Sequence, residues 1–344
     1  MCDGGAENRR TSFTTEEPMT MAKAAAILIA LGLSMSVPDP ASTQGTGAYP
    51  SKPITIVVPF PPGASTDLMA RYIAPKLREV LGQPVIVENK GGAGGMLGAA
   101  HVAKAAADGH TLLLASSTVH NSPLLQKNPT YDSNRDLTPI IAIMSHPFAL
   151  VANSALPVKN TGELIAYAKQ NPGKLNFATL GGFNDIFCEA FKKAAGVDIH
   201  LVHYRGAAEN TIGVIRGDAH LTFNGYAFVQ AQLNAGQLRM MGFTSLQRSK
   251  ALLDIPTVAE GGAPGFEVIN VVGILAPAGT PKPIIDKLNT DIARIVSTPE
   301  AKEFITTRGN DIVENRSPGF YAAKIKRETD RTQRIIAEIG YQKK

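Results

Sequence analysis

Six short stretches of the chain collect the residues that could do chemistry: 59–67, 89–95, 116–121, 181–185, 204–207 and 224–225, rich in glycine, hydroxyl, amide and aspartate side chains. Each falls where a β-branched run ends and a helical pattern begins. Helix N-termini there carry N–H groups without intrahelical partners and a partial positive charge, so they can hold a carboxylate or phosphate without Lys or Arg. Pro61, Pro62 and Gly63 stiffen the first loop, and Thr66 or Asp67 is placed to cap the helix behind it. Ordinary turns and caps account for any one of these loops. Several at matching places in two halves of the chain point to one shared anion site.

Other chemistries find less support. The run Gly92-Ala-Gly-Gly-Met-Leu-Gly98 follows a strand as a dinucleotide fingerprint does, but its third glycine comes one residue late. No acidic residue ends the next strand, so no nicotinamide cofactor is expected, nor any other. His200 and His203 sit three apart on a predicted strand and point to opposite faces, which prevents a shared metal. Ser65, Ser116 and Ser117 lie on site loops with His120 nearby; a Ser–His hydrolase is therefore the alternative from a different class, although no third member accompanies the pair. The C-terminal basic residues Lys324, Lys326, Arg327, Arg331 and Arg334 alternate with Glu328 and Asp330, which reads as a solvated helix face rather than a nucleic-acid surface.

The elements that must position these loops follow from periodicity. Strands are expected at 54–58, 85–88 and 111–115, with helices at 67–81 and 96–107. The pattern returns with strands at 175–178, 199–204, 219–223 and 238–243 separated by helices at 185–195, 207–215 and 226–234. Strand–helix alternation with short loops predicts parallel sheets covered on both faces by helices. Two apolar strands, 148–151 and 268–275, break this rhythm and can carry the chain into a second lobe and back. Helices at 283–297, 299–307 and 318–339 would then cover the first lobe. The expectation is two α/β lobes joined by two crossing strands, with lobe 1 made of 49–149 plus 273–344, lobe 2 of 150–272, and the ligand cleft between them.

The chain has 344 residues, 44% of them hydrophobic, which excludes a disordered polymer and suits about two domains. Lys23 precedes an apolar run over 24–33 and then a stretch of small residues, the pattern of a secretory signal peptide and too short to span a bilayer. Residues 1–48 are read as that signal plus an over-long N-terminus ahead of Met19 or Met21. They hold three basic and five acidic side chains, so the mature charge rises from +5 to +7. Cys188 is left alone within the apolar run Ile186–Phe187–Cys188, and a buried, inert thiol is expected.

From Tyr49 to about Gln342 the chain resembles the periplasmic solute-binding receptors of tripartite tricarboxylate transporters, the Bug family. The likeness is carried by YPSKPITIVVPFPPGASTDLMAR (49–71), LGQPVIVENKGGAGG (81–95), AKAAADGHTLLLASS (103–117) and NPGKLNFAT (171–179), then by AAGVDIHLVHYRGAAE (194–209), DIPTVAEGGAPGFEV (254–268) and GILAPAGTPKPIIDKLN (273–289). The resemblance implies two Rossmann-like lobes of the periplasmic-binding-protein type, no enzymatic activity, and a monomer that closes on a small organic acid. It implies delivery of that acid to a permease of one large and one small membrane subunit. The loop with Phe60, Pro62, Gly63, Ala64, Ser65 and Asp67 and the helix start Gly181, Gly182, Phe183, Asn184 and Asp185 would grip the carboxylate. Ser116, Ser117 and Thr118 would line the cleft, and Tyr204 and Asn224 would approach from the second lobe. Three departures stand out: Ala64 replaces a usual glycine, residues 180–187 lack the usual hydroxyls and His, and Phe223-Asn224 replaces a usual Asp-Asn. Asp185 reads as a helix N-cap; facing the cleft instead, it would repel a carboxylate and favour an amine or amide.

Overall fold

A computed structural model describes residues 49–250 and 252–343; the expected signal peptide and over-long N-terminus lie outside them. The first half begins as the periodicity predicts. Strand β1 (Ile54–Val58) has four side chains fully buried, and helix α1 (Ser65–Leu81) buries Met69, Ala70, Ile73 and Leu77 against it. Gly82 stops α1 by returning its N–H to the carbonyl of Arg78. Strand β2 (Val85–Asn89), helix α2 (Met96–Ala103), strand β3 (Thr111–Ser116) and the short helices α3 (Thr118–Asn121) and α4 (Ser133–Asp136) follow. β2, β1 and β3 lie side by side and parallel.

The chain then departs from expectation. Strand β4 runs over 17 residues, Leu137–Asn153, eleven earlier than the run of 148–151 suggests. Pro139 and Pro147 disguise it in the sequence. Both are tolerated because Pro139 stands beside a register shift and Pro147 stands where the strand changes partners.

The second half comprises α5 (Thr161–Gln170), β5 (Asn176–Thr179), α6 (Phe183–Ala195), β6 (His200–His203), α7 (Ala207–Arg216), β7 (Leu221–Gly225), α8 (Tyr226–Asn234) and β8 (Leu238–Phe243). Helix α5 was not expected, yet it carries a capping pair: the Asn160 side chain accepts from the Glu163 N–H, and Glu163 accepts from the Lys159 N–H. The chain returns through β9 (Ile269–Pro277), α9 (Lys282–Val296), α10 (Pro299–Thr306), β10 (Asp311–Ile312) and α11 (Pro318–Glu338).

The strand order is β2-β1-β3-β9-β4-β7-β5-β6, with β8 and β10 also paired to β4. The sheets are mixed rather than parallel throughout: β9 is antiparallel to β3 and β4, and β7 and β8 are antiparallel to β4. β4 pairs with β9 from Leu137 to Pro147 and with β7 from Phe148 to Ala152, so one strand belongs to two sheets. At that switch, the buried Thr244 hydroxyl accepts from the Phe148 N–H and donates to the Val268 carbonyl, tying the outgoing strand to the returning one.

Each half has its own core. Ile56, Met69, Ile140, Ile274, Leu288 and Ile292 belong to one, and Leu150, Phe177, Phe191, Leu221 and Phe266 to the other. Helices α9 and α10 pack on the first half as expected. The end of α11 does not stay there. Ile335 and Ile336 join Phe183 and Ile186 of α6, Lys193 pairs with Glu338, and Arg331 pairs with Glu267.

Candidate functional site

The loop between β1 and α1 is built around Asp67. Its carboxylate, 1% exposed, accepts from the Gly63 N–H at 2.9 Å, the Asn89 amide at 2.9 Å and the Arg71 guanidinium at 3.0 Å. Burial opposes its ionisation, but the hydrogen bonds from Arg71, Gly63 and Asn89 outweigh it and hold the carboxyl below the usual range. Asn89 also donates to the Phe60 carbonyl, so two strand ends hold one loop. Neither Thr66 nor Asp67 caps α1, contrary to the sequence reading. Helix α1 starts at Ser65, with Ala64 at the cap position in extended geometry (φ −64°, ψ 156°), so its Cβ meets no strain and offers no capping oxygen.

That missing cap is part of a pattern. Helices α5, α10 and α11 begin with Asn160, Thr298 and Ser317, each of whose side chains accepts a first-turn N–H. Helices α1, α6, α7 and α8 follow parallel-sheet strand ends or the β7 turn, and their cap positions hold Ala64, Gly182, Gly206 and Gly225, which supply no side-chain acceptor. First-turn N–H groups with no acceptor are free to meet an anion, but at α6 the Asn184 and Asp185 N–H groups already donate to the Gly181 and Gly182 carbonyls. At α6 the backbone of Gly182 (φ 60°, ψ −126°) takes a conformation open to glycine alone.

The starts of α1 and α8 face each other across a cavity of about 230 Å³. Gly63, Ser65 and Leu68 line it from the first half, and Gly225, Tyr226, Ala227 and Phe228 from the second. His146 of β4 and the turn Arg308–Gly309–Asn310 complete it, and none of the lining residues is acidic. Burial pushes the His146 imidazole down to about 4, so it is neutral near pH 7. The Arg308 guanidinium lies 3.8 Å from the Phe304 ring centre and donates to the Phe304 carbonyl, which fixes a cation at the rim.

A second, smaller cavity lies where Ser117, Thr118 and Asn121 meet Phe183 and Phe187, with Asn270 of β9 beside them. The sequence-predicted residues are thus divided: Gly63 and Ser65 line one cavity, Ser117, Thr118 and Phe183 the other. The remainder are placed differently. Ser116 is buried and donates to Thr118, while the Ser117 hydroxyl accepts from the Val271 N–H. Phe60 packs into the first core, Pro62 is exposed, and Ala64, Gly181, Gly182 and Asn184 are half-buried at their helix starts. Tyr204 lays its ring against Gly213 of α7 and lines neither cavity. The Asn224 amide donates to Thr211 and accepts from the Gly225 N–H, so both its ends are used within the second half.

Asp185 is not an N-cap. It is the third residue of α6, and its carboxylate accepts from the Thr179 hydroxyl at 2.9 Å and meets His203 Nε2 at 3.0 Å. It lines neither cavity, so its charge is spent beside them. Sequence reasoning missed Leu68, His146, Tyr226–Phe228 and Arg308–Asn310 as lining residues. Gly225, in the 224–225 stretch singled out from the sequence, does line the cavity.

The competing chemistries can now be placed. His120 is 2% exposed, and neither ring nitrogen meets a serine or any other partner among the described residues; burial holds it at about 4. The Ser–His alternative therefore has no dyad. Gly98 in the would-be fingerprint serves packing: a Cβ there would lie 2.7 Å from the Lys90 carbonyl and 2.9 Å from Pro59. Cys188 is buried with its thiol pushed well up, chiefly by desolvation, in line with an inert role. Among the described residues no three His, Cys, Asp or Glu side chains gather to hold a metal, and no helix is long and apolar enough to cross a membrane.

Two α/β halves with separate cores, sharing crossing segments and meeting over a cleft, make the fold of a periplasmic binding protein. The solved structure of the periplasmic binding protein BugD shares it, with a TM-score of 0.73 and 33% identity over 86% of this chain and all of that one. The tripartite tricarboxylate transporter family receptor pattern matches residues 69–341, and the chain belongs to that family of solute receptors, not enzymes. Protein BugT of Bordetella pertussis is 34% identical over 308 residues, 88% of this chain and 94% of the relative. The R. palustris protein Rpa4515, solved with adipate, has a TM-score of 0.75 and 32% identity over 85% of this chain and 98% of its own.

Proposed function

We propose that this receptor binds one small organic carboxylate between the starts of α1 and α8 and passes it, unaltered, to a permease of one large and one small membrane subunit. The observation that carries the reading is the pair of uncapped helix starts, one from each half, facing a cavity with no acidic lining residue. Backbone N–H groups aimed at a carboxylate in a site sheltered from water form charge-assisted bonds, each worth roughly 1.5–3 kcal/mol. Ser65 adds a hydroxyl beside them. Ser117 and Thr118 with the Gly181–Asp185 segment shape the adjoining cavity rather than the anchor itself. Adipate bound to a relative supports the carboxylate class.

The lobes, 49–149 plus 273–344 against 150–272, move as units; two separate cores and the change of partners along β4 support two lobes, the switch itself falling at Pro147–Phe148 and 269–272 pairing with the first half. Export follows from the signal-like segment near 19–48 and from a periplasmic relative, and the mature receptor acts as a monomer. A thermal-shift screen of carboxylates, their amides and amino acids, followed by calorimetry on the hits, tests the reading. Selective stabilisation by carboxylates but not by the matching amides is expected, because a ligand that binds only the folded state raises its melting point. Equal binding of acid and amide would remove the anion site.

A further inference from the structure

We infer that the carboxylate this receptor takes carries an apolar body, an aliphatic chain or an aromatic ring, clasped between Leu68 of the first half and Phe228 of the second. The inference rests on the reading above and concerns the part of the ligand beyond its carboxylate.

Leu68 is 38% exposed and Phe228 61% exposed, among the few large apolar side chains left to solvent, and both line the same cavity from opposite sides. Two apolar groups facing each other across a cleft gain by meeting an apolar partner when the halves close. The aromatic rings are seated on glycines. A Cβ on Gly225 would lie 3.0 Å from Phe228 Cδ2, and one on Gly309 would lie 2.8 Å from Tyr226 Cδ1. The Phe228 ring therefore leans back over the start of α8, while Tyr226 packs against Gly309 and the Phe243 ring.

Besides Ser65 at the anchor, the polar lining consists of His146, whose Nδ1 has no partner among the described residues, the Tyr226 hydroxyl, the buried Asn310 and Arg308. His146 is neutral, and Arg308, the one cation among the described lining residues, is held to the Phe304 carbonyl and ring. A hydroxylated di- or tricarboxylate would set part of its polar surface against Leu68 and Phe228, which offer it no partner.

Calorimetry on the mature protein with hexanoate, benzoate, malate and citrate tests this, with Phe228→Ser as the variant. Phe228 is largely exposed, so the variant is expected to melt without ligand at the wild-type temperature. Hexanoate or benzoate should bind at least tenfold tighter than malate and citrate, and Phe228→Ser should weaken the preferred acid at least tenfold. Malate or citrate as the tightest ligand, or an unchanged affinity in Phe228→Ser, overturns the inference and leaves the carboxylate reading standing. Failure of all four acids to bind overturns both.

Discussion

At the scale of single residues, Ala64 and His120 separate binding from stability. Ala64 occupies a cap position in the geometry a capping aspartate needs. Ala64→Asp should satisfy the first-turn N–H groups of α1 and stabilise the fold by about 1 kcal/mol. The same carboxylate would occupy the place proposed for the ligand's, so affinity should fall more than tenfold while the melting point rises. Retained binding would show that those N–H groups do not serve the ligand. His120 has its imidazole pushed down to about 4 by burial, against about 6.5 in an unfolded chain. Between these values the unfolded state takes up a proton that the folded state refuses. The associated stability is therefore complete above about pH 6.5 and lost as the pH falls toward 4, at up to about 1.4 kcal/mol per pH unit per histidine. His146 adds a second such group. Urea unfolding of His120→Phe from pH 7 to 4.5 should show a slope smaller by about one proton; an unchanged slope would place that proton elsewhere.

At the scale of elements, the decisive feature is β4, which leaves one sheet and enters another without a break. Thr244 guards the switch, accepting from Phe148 on the way out and donating to Val268 on the way back, with no exposure to water. Thr244→Val keeps the volume but orphans a buried N–H and a buried carbonyl. A loss of about 1–3 kcal/mol in urea unfolding is expected, with Thr244→Ser near wild type. Equal losses from both substitutions would mean packing of the methyl group, not the hydroxyl bridge, is what matters. The strands at 54–58 and 111–115 were legible because uninterrupted β-branched and aliphatic runs have one reading. The first eleven residues of β4 were not, since prolines at 139 and 147 argue against a strand until the register shift and the change of partners are seen.

At the scale of the molecule, the end of α11 reaches the second half through Ile335, Ile336, Glu338 and Arg331, while the opposite side of the cleft holds the larger cavity. That asymmetry favours opening on the side of Gly63 and Gly225, pivoting near α11 and the crossing strands. Exposed ion pairs such as Lys193–Glu338 contribute little, so the apolar contacts of Ile335 and Ile336 carry the pivot. Small-angle X-ray scattering should show a smaller radius of gyration with a saturating carboxylate than without. An identical radius with proven binding would make the cleft rigid.

Sequence alone determined the alternation of strands and helices, the two crossing strands, the family and the use of strand-end loops, because periodicity, turn residues and long ordered motifs are local properties. The tertiary structure decided which of those loops meet. Asp67, Asn224 and Asp185 look like ligand contacts along the chain, yet their polar atoms are consumed by neighbours 1 to 22 residues away. Leu68, His146, Phe228 and Asn310 look like filler, yet they line one cavity. Whether a polar group is free or taken, and whether an apolar one faces a core or a cleft, depends on partners distant in sequence, and only folding brings those partners within bonding distance.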